Sequence, residues 1–142
     1  MAELLELDLK EFWVEVMKIA QKKYRCATEV QRLTEEIADS LNRDDRVSTQ
    51  LLLGMRQEEM EHWGEYNHMI EVLGHAYPKE IQRRMNSLLD TKKADEDASP
   101  EEKKVAEILA NAKSVIDKTI QIDRVINIKI AGSKSYYTES QK

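Results

Sequence analysis

Glycine and proline are scarce in this 142-residue chain, at four and two residues, against the roughly 12% that the two together make up in an average protein. A fold of many short strands joined by tight turns is therefore excluded, and long helices are favoured. Aromatic residues are few as well: two Trp, five Tyr and one Phe. A seam between helices suits that supply better than a broad core. The single cysteine, Cys26, rules out an intramolecular disulfide. Its neighbour Arg25 is weak grounds for an activated thiolate, so Cys26 reads as a small packed hydrophobe. No apolar run exceeds that of Leu51-Leu52-Leu53, whereas a membrane span needs roughly 20 residues. A basic excess is also missing, with 22 Lys+Arg against 27 Asp+Glu and a net charge of -5, which argues against general nucleic-acid binding. Gln82-Arg83-Arg84 is the most basic stretch in the middle of the chain and lacks interleaved aromatics, so it is expected to face solvent. Met1 to Asp8 is acidic, without the basic start and small-residue cleavage site of a secretory signal, and a cytoplasmic location is expected.

What is present is helical periodicity. Val16, Ala20, Lys23, Ala27, Val30, Thr34, Ile37 and Leu41 recur at alternating steps of four and three, a heptad seam with two polar interruptions. Phe12, Trp13, Ile19 and Leu33 broaden it, which predicts a first helix from about residue 9 to 41. A rod of that length, about 50 Å, needs a packing partner. Asn42-Arg43-Asp44-Asp45 supplies turn and cap residues, and Val47, Leu51, Met55, Met69, Ile70 and Leu73 resume an apolar face. The pattern predicts a helical hairpin over about 9–77. Its second arm is poor in aliphatic side chains between Gln57 and Tyr66, where packing should be weakest.

Gly74 and Tyr77-Pro78 end that arm, and Ile81, Met85, Leu88 and Leu89 predict a short helix over about 78–90. Residues 91–98 carry Lys92, Lys93, Asp95, Glu96 and Asp97 without a large apolar side chain and read as a mobile linker. Ser99-Pro100-Glu101-Glu102 then offers an N-cap serine, a proline in the first turn and a glutamate three residues after the cap, the pattern of a capping box. The last helix is predicted over about 99–131, stopping at Gly132, with a tail over 132–142. The expected whole is a single all-α domain, an elongated antiparallel helical bundle or coiled-coil hairpin of three to four helices.

The segment with the strongest functional signal lies near the end. Ile120, Ile122, Val125, Ile126, Ile128 and Ile130 surround the helix at about 100° per residue, whereas earlier turns of the same helix show one stripe. A terminal helix of a thin bundle has few neighbours to cover all its sides. The stretch is either buried by self-association or open to another chain. Ile126, Ile128 and Ile130 also alternate with a period of two and are β-branched, so an extended end is a further option. Arg124, Lys129, Lys134 and Lys142 against Glu139 make the end locally basic. Tyr136 and Tyr137 either belong to a solvent-facing tail or enlarge the contact surface.

Catalytic and metal motifs are thin. Glu59-x-x-His62 and Glu65-x-x-His68 match the spelling of di-iron carboxylate bundles, but those sites place the two motifs on different helices. Here they sit on one helix, about 240° apart in azimuth. Glu58, His62 and Glu65 share a face and read as solvated rather than as a zinc site. No phosphate loop, nucleophile triad or Cys-x-x-Cys pair occurs. No enzymatic activity, metal or cofactor is expected.

The long first helix, the turn followed by Arg46-Val47-Ser48-Thr49-Gln50-Leu51-Leu52-Leu53-Gly54-Met55-Arg56-Gln57-Glu58-Glu59, and the closing Ile122-Asp123-Arg124-Val125-Ile126-Asn127-Ile128-Lys129-Ile130-Ala131-Gly132 resemble the flagellar export chaperones of the FlgN type. The resemblance implies a protein that binds the amphipathic terminal helix of a flagellar hook-associated protein, keeps it monomeric before type III secretion and presents it to the export machinery. On this chain the role would fall to Val115, Ile116, Thr119, Ile122, Val125, Ile126, Ile128 and Ile130, with Tyr136 and Tyr137 beyond them. The different-class alternative is a self-associating coiled-coil scaffold or adaptor, with a homodimer through the same helix.

Overall fold

The computed structural model describes the backbone of residues 2–140 and the side chains of residues 9–130. Four helices follow one another: α1 (Ala2–Asn42), α2 (Arg46–His75), α3 (Lys79–Thr91) and α4 (Pro100–Ser140). They pack as a bundle, and no strand occurs among the described residues. No helix is long and apolar enough to cross a membrane among those residues.

The first helix begins seven residues before the expected start, since Ala2-Glu3-Leu4-Leu5-Glu6-Leu7 contains only good helix formers and no breaker. From Phe12 onward it is the axis of the bundle. The expected seam is buried from Val16 to Ile37, and Trp13, Cys26, Leu33 and Ser40 are buried beside it. One helix can bury so wide a surface only between two neighbours, and α1 packs along both α2 and α4. The turn to α2 places Asp44 in the left-handed region at φ 55, which a short polar side chain tolerates. Asp45 caps α2 by accepting from the Ser48 backbone N–H at 3.1 Å. Buried Ser40 and Thr49 share a 2.6 Å hydroxyl hydrogen bond across the hairpin.

The register fixes the directions of the helices. Ser40 meets Thr49, Thr34 meets Arg56 and Cys26 meets Glu59, so α1 and α2 are antiparallel. Lys10 lies 3.9 Å from Glu101, and Lys129 donates to the Asn42 side chain at 2.6 Å. The fourth helix therefore runs parallel to α1. Both α2 and α4 flank α1, and their backbones do not come close to one another.

Only one end of the bundle is four helices thick. There α3 lies against α2 and α4, and its Met85 and Leu88 join Phe12, Trp13, Val16, Ile19 and Ala20 of α1, Ile70 of α2, and Val105, Ala106 and Leu109 of α4. Phe12 is the hub, with Trp13 edge-on at 5.0 Å and Tyr77 at 4.6 Å between ring centroids. Gly74 leaves room for the end of the Met85 side chain of α3, which would have to shift to admit a Cβ there.

The segment between α3 and α4 touches the core at two alanines. Lys92 closes α3 in the left-handed conformation, donating its N–H to the Leu88 carbonyl at 2.8 Å, and Ala94 and Ala98 lie on the bundle. Ser99 caps α4 by accepting from the Glu102 N–H at 3.2 Å. The second half of the capping box is not made with the Glu102 carboxylate. That side chain is buried and takes a bidentate pair of hydrogen bonds from Arg84 of α3, at 2.7 and 2.9 Å. Arg84 is thus a strut between α3 and α4 rather than a wholly solvated residue. Beyond the side chains described, the α4 backbone stays helical through Gly132 to Ser140; one internal glycine costs only about 1 kcal/mol and does not compel a stop.

Candidate partner-binding groove

The α3 helix has 13 residues, against 41 in α1, and past Lys92 none of the described residues takes its place between α2 and α4. The result is a groove enclosing about 310 Å³, lined by Val30 of α1, Arg56, Met60 and Trp63 of α2, and Ile116, Thr119, Ile120 and Asp123 of α4. Met60 is 52% exposed and Ile120 44%. The groove therefore has apolar walls that the described residues leave open to water.

One polar group crosses it. Arg56 donates to Asp123 at 2.7 Å and to buried Thr34 at 3.3 Å, tying α2, α4 and α1 together at one level. The guanidinium and carboxylate neutralise each other, so the middle of the groove carries no unmatched charge.

A cation stands at the α3 end. Lys23 occupies a seam position of α1, is 7% exposed, and holds its Nζ 4.5 Å from the centroid of the Trp63 ring. It also lines the cleft between α2 and α3, together with Asn67, Ile70, Met85 and Lys92. Burial, with repulsion from Lys92 in second place, pulls its ammonium down from 10.5 to about 8. Cys26, one turn further on, is buried and donates to the Glu59 carbonyl at 3.0 Å. Burial first, then the Glu59 carboxylate, pushes that thiol up to about 11, so it stays protonated and unreactive.

The residues named from the sequence fall on several faces of α4. Thr119 and Ile126 are buried with Val105, Leu109 and Ala112, on the seam that α4 turns to α1. Ile116 lines the groove beside Thr119. Val115, Ile122 and Ile130 are half-buried, Val125 is exposed, and Ile128 is 71% exposed. At about 100° per residue, Ile122 and Val125 lie on the other flank of α4 from Ile120. The ring of apolar residues thus serves three surroundings: the α1 seam, the groove and open solvent. Tyr136 and Tyr137 have side chains outside the described residues.

The groove's other wall was not found among the site residues. Met60 and Trp63 sit in the stretch of α2 that the pattern marked as poorly packed, and the available signal was that two large apolar side chains stood among Glu and His with no partner in the hairpin. The Glu59 and His62 side chains lie 3.9 Å apart. Among the described residues, no group of three or more His, Cys, Asp or Glu side chains is placed to hold a metal ion. Compared with protein-family models, with curated proteins and with solved structures, the chain has no match.

Proposed function

We propose that this chain is a cytoplasmic export chaperone that takes up the amphipathic terminal helix of a flagellar hook-associated protein before type III secretion, stoichiometrically and without catalysis or cofactor. The observation that carries the reading is the groove left open where α3 ends. A fourth helix completes the bundle at one end, and the same berth, walled by Met60, Trp63, Ile116 and Ile120, continues unfilled at the other. Helix-in-groove recognition uses such a surface, a few apolar anchors entering between two helices. The resemblance of the long hairpin and of the closing isoleucine-rich segment to FlgN-type chaperones supplies the class of client. The export machinery is the second partner it implies.

The test is titration calorimetry of the purified protein against purified hook-associated proteins from the same host, with Ile120→Asp and Met60→Asp as variants. A one-to-one complex is expected, weakened about 10- to 100-fold by either substitution, since each removes about 1.5–3 kcal/mol of apolar burial. Unaltered binding in both variants, or no complex with any hook-associated protein, counts against the reading. Truncation after Lys113 is a poor test, because it removes the buried Thr119 and Ile126 together with the α4 wall beside Val30.

A second reading has its own observation. Val47, Leu51 and Met55 form an i, i+4, i+8 stripe on α2, with Val47 81% and Leu51 67% exposed. A self-associating scaffold would use such a stripe. Sedimentation mass that rises with concentration and falls in Leu51→Glu favours it, and a constant monomer mass removes it.

A further inference from the structure

We infer that the helix received by the groove carries an acidic side chain, placed at the α3 end of the berth, that pairs with Lys23. The inference rests on the helix-binding reading above and specifies the chemistry of the partner.

Lys23 is an odd occupant of its position. It takes one place in a seam whose neighbouring places are Val16, Ala20, Ala27 and Val30, and it is more than nine-tenths buried. Among the described residues, none of the ion pairs includes it. The charged and titratable groups around it come from three elements. Cys26 is on its own helix, Glu71 and His75 line the adjoining cleft from α2, and Lys92 stands at the end of α3. Glu71 is the one carboxylate lining that cleft and is not within the 4.0 Å of an ion pair; Lys92 repels. The closest compensation is the face of Trp63, and such a contact offsets only part of the cost of burying an ammonium.

The remaining charges of the berth set where the acid must lie. Arg56 is already matched by Asp123, so the middle of the groove offers nothing for a second carboxylate. Lys129, at the far end, keeps its charge while donating to the neutral Asn42 amide, but it is exposed and its charge is solvated by water. Lys23 and Lys92 are the pair left at the near end. From Lys23 to Thr34, the level of Arg56, the floor spans about 16 Å, and to Asn42 about 28 Å. A complementary helix of about 18 residues therefore presents apolar side chains to Val30, Met60, Trp63, Ile116 and Ile120 and one carboxylate in a terminal turn.

The experiment uses the full-length protein and synthetic amphipathic peptides of about 18 residues with a leucine stripe. The peptides bear Glu, Gln or Lys beside the stripe in the first turn, or in the last, so that both helix directions are covered. Binding is read by calorimetry for the wild type, Lys23→Met, Lys23→Gln and Ile120→Asp, with each variant's helicity checked by circular dichroism. In one of the two directions the Glu peptide should bind about tenfold tighter than its Gln counterpart, with the Lys peptide weakest. In Lys23→Met and Lys23→Gln the preference should fall below about twofold.

Equal binding of Glu and Gln peptides that Ile120→Asp abolishes leaves helix capture standing and overturns the acidic partner. A preference retained in both Lys23 variants overturns it too, by placing the selecting charge elsewhere. Saturable binding by no peptide at all removes the helix-binding reading and this inference together. A wild-type dimer that Ile120→Asp disperses would make a second copy the occupant, which also overturns it.

Discussion

The two ends of α1 lie in different surroundings although its sequence pattern hardly changes between them. Near Phe12 it is enclosed by α2, α3 and α4, and large side chains from all four helices interlock. Near Val30 and Thr34 it is enclosed by α2 and α4 alone, with an Arg56–Asp123 bridge where a fourth helix would lie. The same seam thus does two jobs: at one end it closes a core, and at the other it floors a groove. Fold stability should concentrate at the first end, and tolerance to substitution together with binding at the second.

The largest effect should come from the closed end. Replacing Phe12, which is fully buried between an edge-on Trp13 ring and a tilted Tyr77 ring, by Ala is expected to cost about 3–5 kcal/mol in urea unfolding. Met60→Ala, on the open wall, should cost less than about 1 kcal/mol because no cavity is created there. Comparable losses at the two positions would mean that the groove is part of the stability core and that the contrast is false.

Lys23 sharpens the contrast with the opposite sign. Its folded value, about 8, lies below the unfolded value near 10.5, so between those pH values the unfolded chain binds more protons and stability rises with pH. The penalty is complete below pH 8 and is relieved as pH climbs from 8 to 10.5. Replacing Lys23 with Met should therefore stabilise the bundle at pH 7, by on the order of 2–3 kcal/mol. The gain should shrink steadily towards pH 10.5. Denaturation curves at pH 7, 9 and 10.5 check both sign and window. A destabilised variant at pH 7 would mean that the ammonium already has an anionic partner within the fold.

These expectations also mark where the sequence was readable. The α1 seam was legible because a helix with neighbours on both sides keeps an unbroken heptad over many turns, polar Lys23 and Thr34 included. The all-helical architecture followed from the same periodicity and from the dearth of turn formers. The groove was only half legible. The isoleucines after Thr119 stood out by composition, yet Thr119 and Ile126 are spent on the α1 seam, and the wall formed by Met60 and Trp63 depends on where α3 happens to end. That end is set by a left-handed Lys92, for which no Gly or Asn gave notice. Glu102 misled in the other direction. Its spacing from Ser99 is a local signal for a reciprocal cap, whereas an arginine 18 residues away in sequence outcompetes one backbone N–H for a buried carboxylate.

That competition can be broken at the closed end. Arg84→Ala leaves the buried Glu102 carboxylate without its bidentate partner and should cost about 1–3 kcal/mol, less than a fully buried pair would because Arg84 is partly exposed. Replacing both residues with Met should recover most of that loss, since the penalty belongs to the stranded charge and not to the missing pair.

The smallest effect belongs to the cap itself. Ser99→Ala removes one acceptor from the Glu102 N–H and should cost about 1 kcal/mol. With Glu102 committed to Arg84, the cap and the strut act on separate groups, so Ser99→Ala and Arg84→Ala should add to within about 0.5 kcal/mol in a double-mutant cycle. Had Glu102 closed a capping box instead, losing Ser99 would loosen the turn that aims its carboxylate, and the two substitutions would couple. The cycle therefore reads, in one number from urea titrations, whether the start of α4 is held by its own local sequence or by α3, the helix whose early end leaves the groove open.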